Sequence, residues 1–137
     1  MRGRETIGLI DEGLLQRGLL LFTGTVNAAP TKEMSRYVRA MPAPDLVVHL
    51  RLDPADVQSR LGGRQRFLPP RYARLATNEL PLALSAGSKV LDEMLEQLNA
   101  RIERPLLLTL DAHASPAEAV ALVTACTEKL AEPAIVP

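Results

Sequence analysis

Asp45-Leu46-Val47-Val48-His49-Leu50-Arg51-Leu52-Asp53-Pro54-Ala55-Asp56 is the stretch from which the architecture follows. Its nearly continuous apolar run, Leu46 to Leu52, has the pattern of a strand covered on both faces in a parallel sheet. Asp53 then suits an N-cap, Pro54 suits the first helical position, and Asp56 stands where a capping box wants an acid. A strand therefore passes straight into a helix, and Gly62-Gly63 stops that helix. Upstream, Thr31 is placed to cap a short helix through Arg39, with Glu33 in its first turn. Met41-Pro42-Ala43-Pro44 ends it, because a residue before proline is pushed out of the helical region.

The same alternation extends in both directions. Thr6 to Ile10 is a short apolar run that ends abruptly at Asp11-Glu12-Gly13, as a buried strand emptying into a loop would. Leu14 to Phe22 follows as a helix with Leu15, Leu19 and Phe22 on one face. Beyond Gly63, residues Arg64 to Leu80 are irregular. Pro69-Pro70 forbids a helix across that segment, while Tyr72 to Asn78 is compatible with one. Pro81 opens a long helix to about Ile102, with Leu84, Leu91, Met94, Leu95 and Leu98 as its apolar stripe. Leu106 to Leu110 reads as a further strand. Ser115-Pro116-Ala117-Glu118 is a full capping box that opens the last helix, on which Val120, Val123, Cys126 and Leu130 are expected to face inward. Strands alternating with helices indicate one α/β domain over residues 1–137, a parallel sheet flanked by helices.

Composition narrows the class of protein. Apolar residues make 47% of the 137, charged residues 23%, and the formal net charge is zero, which fits a globular chain and argues against a dedicated nucleic-acid binder. No apolar run is long enough to cross a bilayer, and Asp11 and Glu12 interrupt the first apolar residues before a signal peptide could form. A cytoplasmic protein without membrane contact is expected. Cys126 is the lone cysteine, so no intrachain disulfide forms, and its place on a helix reads as a small core residue. The charges are unevenly spread: Val57 to Asn78 holds no acid but contains Arg60, Arg64, Arg66, Arg71 and Arg74.

Three groups are candidates for chemistry. Asp11 and Glu12 would lie beyond the carboxyl end of a strand, where ligands of parallel sheets bind. Such a pair can hold a metal-bound water or accept a proton, and it can equally be the acidic start of a helix. Gln16 and Arg17 come one turn later, facing the same site or simply solvent. Arg60, Arg64 and Arg66 match phosphate oxygens with planar forks, and Gly62-Gly63 would serve as a hinge; a solvated basic face is the plainer reading. The loop Asp111-Ala112-His113-Ala114-Ser115 offers His113 as a base, though no partner for it is evident in the sequence, and an exposed loop histidine fits as well.

In combination these pieces resemble the second half of the P-loop nucleoside and nucleotide kinase group, the thymidylate kinase-like enzymes. The matching parts are the strand end Leu9-Ile10-Asp11-Glu12-Gly13, the element Pro44-Asp45-Leu46-Val47-Val48-His49-Leu50, and the Asp53-Pro54 helix leading into Arg60 to Arg66. The resemblance implies an incomplete three-layer αβα P-loop fold with ATP and magnesium as cofactors of a complete domain. It implies Asp11 and Glu12 as catalytic and metal-side residues, with Arg64 also catalytic. Gln16 and Arg17 would bind a small-molecule acceptor. Arg60, Arg64 and Arg66, together with Ala112 and His113, would contact the nucleotide.

The sequence departs from that group in one respect. No Gly-x-x-x-x-Gly-Lys-Ser/Thr stretch occurs in it. The resemblance puts the missing loop N-terminal to Met1, its strand lying between the one ending at Asp11 and the one starting at Leu46. A chain lacking that strand is expected to be inactive alone. It is also expected to pair its remaining strands directly, to self-associate, or to need a complementing N-terminal half. The alternative is a non-catalytic interaction or anion-binding module.

Overall fold

A computed structural model of the chain describes residues 8, 10, 13–62, 70–102 and 105–131. The elements run α1 (Leu14–Phe22), α2 (Lys32–Ala40), β1 (Leu46–Arg51), α3 (Pro54–Gly62), α4 (Pro70–Ala73), α5 (Leu80–Asn99), β2 (Leu106–Asp111) and α6 (Pro116–Ala131). β1 and β2 pair in parallel, in register from Leu46 with Leu106 to Arg51 with Asp111, and helices flank them. This is an α/β arrangement. Parallel strands need a long crossover, and the segment from α3 to α5 supplies it.

The core lies between α1, α2 and the long α5. Met34 and Val38 of α2 and Val90, Met94 and Leu98 of α5 are buried, and Leu15, Phe22, Tyr37 and Val47 pack against them. The i, i+4 spacing of each set explains the contact: on a helix these positions form one stripe. Gly18 allows α1 to come close, since a Cβ there would stand 2.5 Å from Met94 Cε and 2.7 Å from Tyr37 Cε1. Tyr37 Oη also donates to the Leu14 carbonyl at 2.7 Å. Arg101 Nη1 donates to the carbonyls of Val38 at 3.3 Å and Met41 at 2.7 Å, satisfying the C-terminal end of α2.

Most boundaries match the expectation from sequence. Thr31 Oγ1 accepts from Met34 N at 3.1 Å, so the expected cap of α2 is in place. Several expectations need correction. The helical stretch foreseen from Tyr72 to Asn78 is one turn, Pro70–Ala73, because the chain turns again at 77–79 before α5 begins. On α6 the half-buried positions are Ala119, Val123, Cys126 and Thr127, whereas Val120 and Leu130 are 65% and 45% exposed. The sheet beneath that helix is two strands wide among the described residues, too narrow to cover a broad apolar stripe. Of the strand expected at Thr6 to Ile10, Gly8 and Ile10 are described; both stand outside the sheet, and Ile10 is exposed. The rest of that run lies outside the described residues.

Candidate functional site

Because β1 and β2 are parallel and in register, their carboxyl ends emerge side by side. Ala112 N donates to the Arg51 carbonyl at 3.0 Å, which locks the two exits together. After β1, Asp53 Oδ1 accepts from Ala55 N at 2.9 Å and starts α3. After β2, Asp111 Oδ1 accepts from His113 N at 2.8 Å, and Ala114 N returns to the Asp111 carbonyl at 3.0 Å. Both exits are thus tight turns held by an aspartate that bonds to the backbone two residues on. Ser115 and Glu118 complete the reciprocal box that begins α6: Ser115 Oγ accepts from Glu118 N at 3.2 Å, and Glu118 Oε2 accepts from Ser115 N at 2.9 Å. Donation to that carboxylate from the Ser115 backbone N–H, and then from the Ser115 hydroxyl at 2.9 Å, holds Glu118 below its ordinary pKa.

The two exits meet through side chains as well. His113 Nε2 donates to Asp56 Oδ2 at 3.1 Å, with both groups open to solvent. The sequence offers no partner for His113. Asp56 has the position of a capping-box acid, and it lies 57 residues away along the chain. In the fold it lies one turn inside α3, facing the β2 exit. Arg60 follows one turn later on the same helix and is exposed. Ala112 is half-buried in the same turn.

The other expected residues are placed as follows. Gln16 and Arg17 are exposed on α1, a helix that packs on α2 and α5, and no hydrogen bond or ion pair among the described residues links them to the His113 loop. Asp11, Glu12, Arg64 and Arg66 lie outside the described residues. Among the described residues no group of three or more His, Cys, Asp or Glu side chains is arranged to hold a metal ion. Asp56 and His113 bond to one another, and the carboxylates read as magnesium-side, Asp11 and Glu12, lie outside the described residues.

Nothing in the sequence distinguishes Arg71 beyond its place in the acid-free window. Its guanidinium carbon lies 4.7 Å over the Tyr72 ring, and its Nε and Nη1 are buried with no hydrogen-bond partner among the described residues. Its aliphatic stem fills the space beside Gly24, where a Cβ would meet Arg71 Cδ at 2.8 Å. Gly24 itself has φ of 102°, so only glycine suits that turn. A groove of about 710 Å³ lined by Ser35, Arg39, Gln97, Arg101 and Ile102 lies at the opposite, amino end of the sheet, among the residues that lead into β1 and β2. No helix among the described residues is long and apolar enough to cross a membrane. Comparison with family models, with curated proteins and with solved structures found no match to this chain.

Proposed function

We propose that the chain is a half-domain of an ATP-dependent small-molecule phosphotransferase of the nucleoside and nucleotide kinase type, inactive by itself. The observation that carries this reading is the convergence at the carboxyl ends of β1 and β2. There the Asp56–His113 pair, at 3.1 Å, stands one helical turn from Arg60. In parallel sheets that end of the strands is where ligands bind. In this reading Arg60, with Arg64 and Arg66, meets the phosphate charge, since arginine remains cationic and forks onto oxygen pairs. Ala112 and His113 border the adenine. Asp56 fixes the ring of His113 and holds that loop against α3. Asp11 and Glu12 take the acid–base and magnesium-side roles, and Gln16 and Arg17 the acceptor. The three-layer αβα fold belongs to the same proposal.

A second reading, a non-catalytic anion-binding module, is favoured by the arginines alone. Among the described residues Arg60, Arg71 and Arg74 form no ion pair with a carboxylate.

Amide-resolved NMR titration separates the two readings. With adenosine, the kinase reading expects shifts at Ala112 and His113; with ATP, Arg60 joins them, and no phosphate is turned over. The module reading expects shifts at the arginines with inorganic phosphate and none with adenosine. Silence to all three compounds rejects both readings. ATP turnover abolished by Arg64→Ala would overturn the inactivity of the isolated chain.

A further inference from the structure

We infer that β1 is a homodimerisation edge, pairing antiparallel with β1 of a second copy of this chain about a two-fold axis at Val48.

The backbone supplies the first argument. Leu106 N donates to the Asp45 carbonyl at 2.9 Å, and Ala112 N to the Arg51 carbonyl at 3.0 Å. The odd-numbered residues of β1 therefore spend their backbone groups on β2. By the alternation of an extended chain, Leu46, Val48 and Leu50 turn their N–H and C=O groups to the other edge. Among the described residues no strand pairs with that edge. An open edge of apolar residues is a template for another strand.

The side chains agree. Leu110 is 3% exposed, yet its register partner Leu50 is 63% exposed, and Val48 is 40% exposed. The apolar cover thus ends across β1, where an added strand would extend it.

Charge selects the occupant and the register. With the axis at Val48, Leu46 faces Leu50 of the other copy and Asp45 faces Arg51, on both sides of the axis. Asp45 and Arg51 are exposed and free of other ion pairs among the described residues. Opposite charges across an antiparallel pair attract, and like charges directly opposite repel. Moving the axis to His49 would set Asp45 against Asp53 and Val47 against Arg51. The strand is therefore complementary to itself in one register, and a closed two-fold pairing uses the same patch on both copies. The kinase reading puts its missing strand at this same edge, but the self-pairing needs no nucleotide, so its failure is distinguishable from the failure of that reading.

Sedimentation equilibrium of the 137-residue chain, without nucleotide, tests the inference. The wild type is expected to dimerise. Asp45→Arg and Arg51→Asp are each expected to raise the dimer dissociation constant roughly tenfold by turning both cross-strand attractions into repulsions. The double reversal, Asp45→Arg with Arg51→Asp, is expected to restore it to within about threefold, which also shows that the altered chains still fold. A monomer at 0.1 mM wild type (on the order of a hundred times a micromolar dimer constant) overturns the proposal and leaves the edge to a strand of another sequence. A dimer insensitive to the single reversals, or a double reversal no better than either single one, overturns it as well.

Discussion

Burial gives His49 a pH signature. It sits in the middle of β1, half-buried, and burial lowers its pKa below the ordinary value; Asp92 opposes that shift and Arg51 adds to it. The sign follows from proton linkage. Because the folded pKa is depressed, the unfolded chain takes up the proton first as pH falls, and proton uptake by the unfolded state favours unfolding. The stability contributed by neutral His49 is present above about pH 6.5 and is lost as pH falls from there toward the lowered folded value. Urea midpoints at pH 7.5 and 5.5 should therefore differ more in the wild type than in His49→Gln. Equal differences in the two proteins would refute the assignment. The other histidine shows how little of a contact can be legible locally. His113 sits in a recognisable loop, but its partner Asp56 belongs to a capping pattern of its own, and only the parallel register of β1 and β2 brings the two together.

At the scale of elements, the caps are the parts most readily read from sequence, because a cap is a bond between neighbours. Thr31 and Ser115 both accept the helix N–H three residues on, as their positions imply. Thr31 matters more for stability, since α2 contributes the fully buried Met34 and Val38 to the core. Thr31→Ala should cost about 1 kcal/mol of unfolding free energy, the usual worth of such a cap, whereas Thr31→Asn should cost little. Guanidinium melts of the two variants check this, and equal losses would show that the hydroxyl bond is not the source. Where an element's inward face depends on what lies beneath it, sequence periodicity does not suffice. Val120 and Leu130 belong to a regular helical stripe, yet they are exposed on α6, which packs on β1 and β2 through its other positions. β1 and β2 were legible to within a residue, whereas of the strand read at Thr6 to Ile10 the described Gly8 and Ile10 stand outside the sheet. What remained hidden was the extent of the sheet around them, which depends on partners outside each strand's own residues.

At the scale of the molecule, surface and association are linked. Large apolar side chains stand in solvent: Leu50, Leu21, Leu82 and Val120 are all at least 60% exposed. Parallel sheets of two strands have little stability of their own, and joining two of them edge to edge makes a four-stranded sheet with β1 in its interior on both copies. If pairing at β1 provides part of the folding free energy, the folded state is favoured by mass action and unfolding becomes dependent on protein concentration. The melting temperature should then rise steadily as the chain is concentrated from about 1 to 100 µM, by several degrees for a domain of this size. Asp45→Arg should flatten that rise, and the double reversal with Arg51→Asp should restore it. A melting temperature that is the same at both ends of the range would separate folding from association and assign the whole stability to the α1–α2–α5 core.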